Sequence, residues 1–123
     1  MGYYSDASLC IRKDAIARFS AKLAICNLDQ LKYVGGLLES SDHMTDPVSG
    51  DELWHWKDVK WYDNEGISFM ESLMSRLDPR DYLFLRTGED SDDNEIRGSY
   101  WDNPFELCLE RRICFERPSN GYC

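Results

Sequence analysis

Seven residues, EDSDDNE (Glu89 to Glu95), hold five carboxylates and no base. Such an oxygen-rich run can ligate a hard cation, and the test is spacing. An EF-hand loop places carboxylates or amides at positions 1, 3 and 5, glycine at 6 and glutamate at 12. Counted from Asp90, Asp92 and Asn94 fit positions 3 and 5, but position 6 is Glu95 and position 12 is Trp101. The turn glycine and the bidentate ligand are both missing. Three readings of the run stay open: a solvated hairpin turn, a charged recognition surface and a cation site.

Other chemistries meet similar obstacles. His43 and His55 stand twelve residues apart, with Asp42, Asp46 and Asp51 nearby, and no C-x₂-C pair completes a zinc pattern. His55 reads as a strand residue packed between tryptophans. A cysteine nucleophile needs a thiolate and a neighbouring base, and an excess of acids raises thiol pKa values. YVGGLLES contains neither a G-x-S-x-G elbow nor a phosphate-binding GK[ST] ending. With 23 acids in the chain, nothing singles out a carboxylate pair for glycoside chemistry. No catalytic residue, metal site or cofactor is therefore assigned.

Acids beside aromatics are more suggestive. WHWKDVKWYD and GSYWDNPF contain all four tryptophans, each close to carboxylates. Trp, Tyr and acids together suit arginine, through cation–π contacts and charge-assisted hydrogen bonds. The plainer reading makes Trp54, Trp56, Trp61 and Trp101 core and sheet residues, as strand propensity favours.

The charge map points the same way. Net charge is −9, from 14 bases and 23 acids. Residues 62–123 carry −7 of it, and residues 89–106 hold seven acids against Arg97. Direct binding to nucleic acid is disfavoured, because phosphates must be neutralised, and a basic partner is favoured.

These residues need elements to position them. At 123 residues with 42% hydrophobic content, the chain reads as one domain, residues 1–123, with enough core to fold without metal or disulfide. No apolar run approaches membrane-spanning length, and the N-terminus lacks the pattern of a secretory signal. Asp6 stands where a myristoylation motif needs Ser or Thr. The five cysteines, Cys10, Cys26, Cys108, Cys114 and Cys123, are odd in number and widely spaced, which predicts free thiols.

SDASLCIR alternates like a half-buried strand, with Ala7, Leu9 and Ile11 on one side. Ile16, Phe19, Leu23 and Cys26 then recur at helical spacing, with Asp14 near the helix start. Asn27 and Gln30 predict a capping box and a short second helix ending at Gly35–Gly36. Residues 39–51 read as loop, with a turn around Pro47 and Gly50. ELWHWKDVKWY predicts a strand, or a hairpin bent near Lys57–Asp58. Asp63 or Asn64 caps a helix whose Ile67, Met70, Leu73, Met74 and Leu77 form one apolar stripe, ended by DPR.

Three further strands are predicted: DYLFLRTG, EIRGSYW and FELCLERRICFE. In the last, Phe105, Leu107, Leu109, Ile113 and Phe115 share one face, while Cys108 and Cys114 share the other with charges. The fold expectation is α+β, a largely antiparallel sheet of about five strands with two to three helices on one face and the other face wet. The last three strands would form a meander with EDSDDNE at its first turn.

The opening MGYYSDASLCIRKDAI, the middle HWKDVKWYDN and the close YLFLRTGEDSDDNEIRGSYWDNPFELCLERRICFE resemble a set of small bacteriophage and prophage proteins. The resemblance spans most of the chain but carries no reaction and no site. It implies the cytoplasm of a bacterial host. In that setting small acidic proteins often block defence nucleases by occupying basic nucleic-acid channels, and analogy with that class gives the expectation of an inhibitor of anti-CRISPR or anti-restriction type.

The expected partner is a basic host protein, such as a nuclease or CRISPR effector, with no direct nucleic-acid or membrane contact. The pattern sets no oligomeric state. Glu89, Asp90, Asp92, Asp93, Glu95 and Asp102 would supply charge, with Tyr100 and Trp101 as the desolvated anchor. The competing readings are a phage structural or regulatory subunit, and a metal-dependent enzyme using His43, His55 and loop acids.

Overall fold

The computed structural model describes residues 4–25, 27–61, 65–90 and 92–109, and the backbone of 116–117 and 120–121; residues 65 and 66 are likewise described by backbone alone. Strand β1 (Ser5–Ile11) lies at the centre of a five-stranded antiparallel sheet of order β2-β3-β1-β4-β5, where β2 is Asp42–Thr45, β3 Glu52–Val59, β4 Tyr82–Thr87 and β5 Asn94–Gly98. Helices α1 (Lys13–Ala24), α2 (Leu28–Glu39) and α3 (Glu65–Ser75) cover one face. The α+β expectation is met. Two short strands, β6 (Glu116–Arg117) and β7 (Asn120–Gly121), pair with each other.

Period decides which side chains meet. Ala7, Leu9 and Ile11 of β1, Trp54 and Trp56 of β3, and Tyr82 and Phe84 of β4 share the helix side of the sheet. They pack against Ala15 and Phe19 of α1, Val34 of α2, and Ile67, Met70, Leu73 and Met74 of α3, with Leu77 just beyond it. Each of the larger apolar side chains among them contributes roughly 1.5–3 kcal/mol of transfer free energy. The apolar stripe of α3 is borne out in full. Trp54, Trp56 and Trp61 are core, but Trp101 is 47% exposed.

Several expectations need correction. β1 is buried on both faces, because Cys10 also packs with Leu53, Leu83 and Leu85 on the outer side. α2 runs through Gly35 and Gly36 to Glu39. Two glycines cost roughly 1 kcal/mol each in a helix, yet Leu37 and Leu38 beyond them pack on the core, and Ser40 and Ser41 hydroxyls donate to the Leu37 and Leu38 carbonyls. Residues 39–51 are not loop throughout: β2 pairs with β3 as a hairpin around the predicted turn. There Asp46 accepts the Val48 and Ser49 N–H groups, and Gly50 takes φ +80°.

The capping box is present, with Asn27 and Gln30 bonding reciprocally. β3 is one strand, bulged where a bend was expected. Its register slips between Ser5↔Val59 and Ala7↔Trp56, Asp58 adopts φ +54°, and its N–H donates to Asp6. The calls on Cys26, Asp63, Asn64, Cys114 and Cys123 lie outside the described residues.

The largest correction concerns residues 105–116. Residues 105–109 form no strand, and 110–115 lie outside the described residues. Phe105, Leu107 and Leu109 do share a face, and they pack on Cys10, Leu53, Leu83, Leu85 and Tyr100. The outer face of the sheet is therefore partly roofed rather than wet. Asn103 shapes this strap, accepting the Leu107 N–H at 2.8 Å and donating to the Tyr100 carbonyl at 3.0 Å. At its root Gly98 has φ +81°, and a Cβ there would collide with the Tyr82 carbonyl oxygen.

Candidate functional site

The acidic run occupies the connection of the β4–β5 hairpin, as expected. Pairing brings Arg86 of β4 directly opposite Glu95 of β5. Arg86, with a side chain only 13% exposed, forms a bidentate pair with Asp93 (2.8 and 3.2 Å) and bonds Glu95 at 3.1 Å and Ser5 Oγ at 3.0 Å. Arg97 continues the chain of charges to Glu95 at 2.5 Å and to Glu71 of α3 at 3.3 Å. The carboxylate of Asp93, and Glu95 beside it, push the Arg86 guanidinium above its ordinary pKa.

Asp93 and Glu95 thus pair inward with Arg86 and Arg97, and these arginines link the hairpin to Ser5 of β1 and Glu71 of α3. Glu89, Asp90 and Asp92 are exposed at the tip. Glu89 accepts the Tyr4 N–H at 2.5 Å, which ties the N-terminal end of the chain to the turn. Among the described residues, no group of three or more His, Cys, Asp or Glu is placed to hold a metal ion.

Beyond β5 the chain separates the two aromatics assigned as anchors. Trp101 and Asp102 are exposed. Tyr100 is 8% exposed, and its hydroxyl donates to Asp51 Oδ2 at 2.5 Å. Burial, and then the Asp51 carboxylate, push its pKa up to about 12. The other oxygen of Asp51 accepts the Lys13 N–H at 2.8 Å and caps α1, while Arg12 lies 4.2 Å above the Tyr100 ring. Tyr100 is therefore a clasp between the strap and the sheet, and its side chain offers no partner anchor.

The histidines are also redistributed. His43 stacks on Trp54 at 5.1 Å and bonds Glu52 through Nε2 at 2.7 Å. His55 is on the opposite face from Trp54 and Trp56 and so is not packed between tryptophans. Its Nδ1 is 2.5 Å from the Ser8 hydroxyl, which stands directly opposite on β1. A cavity of about 190 Å³ opens here, lined by Ser8, His55, Leu85, Leu107, Cys108 and Leu109 among others. Sequence reasoning missed this pairing. Its only signal was strand parity, which puts Ser8 and His55 on the non-helix side of two strands that turned out to be neighbours.

Of the described cysteines, Cys10 and Cys108 are both free. Burial, with Asp51 adding to it, pushes the Cys10 thiol up to about 12, whereas Cys108 is exposed. No helix among the described residues is long and apolar enough to cross a membrane. Comparison of the chain with protein-family models, with curated proteins and with solved structures found no match.

Proposed function

We propose that this chain is a phage-encoded acidic binding protein that inhibits a host nucleic-acid-binding defence protein, of CRISPR-effector or restriction type, by occupying its basic channel. The observation that carries the reading is the braced hairpin. Arg86 and Arg97 fix its base through Asp93, Glu95 and Glu71, while Glu89, Asp90 and Asp92 project from its tip. Carboxylates held on a rigid support compete with phosphates at lower entropic cost than the same charges on a loose tail. Trp101, with Asp102 beside it, supplies an exposed aromatic surface for arginine.

The test is capture of a partner from bacterial host lysate, followed by competition and mutation. The captured protein should bind nucleic acid and be displaced by duplex DNA, and the complex should weaken as salt rises, since exposed charges are screened over ~10 Å at 0.1 M. Combined Glu89→Gln, Asp90→Asn and Asp92→Asn should weaken it further, each contact contributing roughly 1–3 kcal/mol if desolvated and less at a rim. A partner held equally well by the triple variant at low salt overturns the proposal.

A second reading, a phage structural or regulatory subunit, is favoured by the corner between α1 and α2. Ile25 is 80% exposed there, with Leu28 and Leu31 also exposed, as at an assembly contact.

A further inference from the structure

The cavity on the outer face combines groups that ordinary packing does not require. Ser8 and His55 are cross-strand partners, and Asp42 of β2 stands directly opposite His55 on its other side. Carboxylate, imidazole and hydroxyl therefore form a row across three adjacent strands on one face of the sheet. Ser8 is itself 6% exposed and lines the cavity. Among the described residues Ser8 is the hydrogen-bond partner of His55, through Nδ1.

Leu85, Leu107 and Leu109 give the cavity apolar walls. Its volume of about 190 Å³ corresponds to roughly six water molecules at ~30 Å³ each, enough for a short aliphatic group and too small for a drug-sized ligand. Cys108 and Leu109 also line it, and their backbone N–H groups donate to no described residue.

We propose that Ser8 is a nucleophile activated by His55, and that the cavity is an acyl-transfer site for esters of short aliphatic acids. Ser8 Oγ lies 2.5 Å from His55 Nδ1; in the proposed mechanism the hydroxyl donates to that nitrogen, the arrangement a general base requires. Oγ attacks the ester carbonyl carbon and its proton passes to Nδ1, while the carbonyl electron pair moves onto oxygen. The proposal assigns the oxyanion to the Cys108 and Leu109 N–H groups, which belong to lining residues and donate to no described residue. Collapse breaks the bond to the alcohol, which leaves with the proton from Nδ1, and the acyl group remains on Ser8. Water then repeats the sequence and releases the acid. Water is the one co-reactant. The site lies on the outer face of the sheet and is independent of the acidic tip, so either proposal can fail alone.

The experiment uses the full chain and diisopropyl fluorophosphate, whose phosphorus takes the place of the carbonyl carbon, with peptide mass mapping of the product. The expected result is a single diisopropylphosphoryl adduct on Ser8, formed with loss of fluoride and absent from protein unfolded in urea. His55→Gln should slow labelling by roughly 10²-fold or more, the usual contribution of a general base. Release of p-nitrophenol from p-nitrophenyl acetate should fall in parallel. Two results overturn the proposal: no Ser8 adduct on the native wild type, including an adduct confined to Cys108, or labelling of His55→Gln at the wild-type rate. Should His55→Gln fail to fold, as judged by circular dichroism, the comparison of native with urea-unfolded wild type decides. A Ser8 that labels equally in both is not activated by the fold.

Discussion

On the helix side, the sheet buries Leu9, Ile11, Trp56 and Phe84 beneath three helices, and on the outer side it buries Cys10, Leu53, Leu83 and Leu85 beneath a strap without regular structure. The first layer rests on apolar area summed over many residues. The second has little area and depends on a few polar clasps: Tyr100 to Asp51 and Asn103 to Leu107. An apolar layer is redundant and shapes no single group. A layer held by clasps leaves room between them, and the cavity lies in that space.

The largest effect expected from breaking this comparison is on the helix side. Phe84 is fully buried, and Phe84→Ala should lower unfolding free energy in urea by about 3–5 kcal/mol. A loss under about 1.5 kcal/mol would show that this core is not the main support.

The outer layer gives a smaller effect with a distinct pH signature. Tyr100→Phe removes the donor to Asp51 and should cost about 1–3 kcal/mol. Because the folded pKa of Tyr100 is raised to about 12 from an ordinary 10, its stabilising effect is complete below pH 10 and is lost as pH rises through 12. Wild type should therefore lose more stability between pH 10 and 12 than Tyr100→Phe does. Equal alkaline limbs would remove Tyr100 from the clasp.

The smallest effect separates the two kinds of carboxylate in the hairpin. Asp93→Asn breaks a bidentate pair with Arg86 and should cost about 1 kcal/mol, whereas exposed Asp92→Asn should stay within ~0.5 kcal/mol of wild type. Thermal melts of the two variants side by side check this. If they melt together, the hairpin base is not braced as described.

Much of the architecture was legible because period reports burial faithfully. The Ile67–Leu77 stripe and the capping box at Asn27 are local signals and both are present, while the break expected near Asp58 is a bulge in one continuous strand. Residues 105–109 show the limit of that signal. Their alternation correctly predicted that Phe105, Leu107 and Leu109 face one way, but alternation cannot say whether a segment pairs with a strand or merely lies on one. Gly35–Gly36 misled for a related reason, since the packing of Leu37 and Leu38 outweighs helix propensity.

The candidate sites divide in the same way. The location of the acidic turn could be read directly, but the partners of Asp93 and Glu95 required the β4–β5 register, which places Arg86 opposite Glu95. Ser8 and His55 required strand order as well. No local pattern contains it.

The central place of β1 has a consequence for how the chain is made. Ser8 is paired on one side with His55 and on the other with Leu85, so β1 has both neighbours far downstream in the chain. The β2–β3 and β4–β5 hairpins are local and can close within microseconds. Completing the sheet requires β1 to enter between them, after the loop-closure entropy of both long connections has been overcome. Until β4 has emerged from the ribosome, Leu9, Cys10 and Ile11 have no complete site, and an apolar strand with open edges is exposed to other chains. Folding rate and yield should therefore respond most to substitutions in β1, the strand that waits longest for both its neighbours.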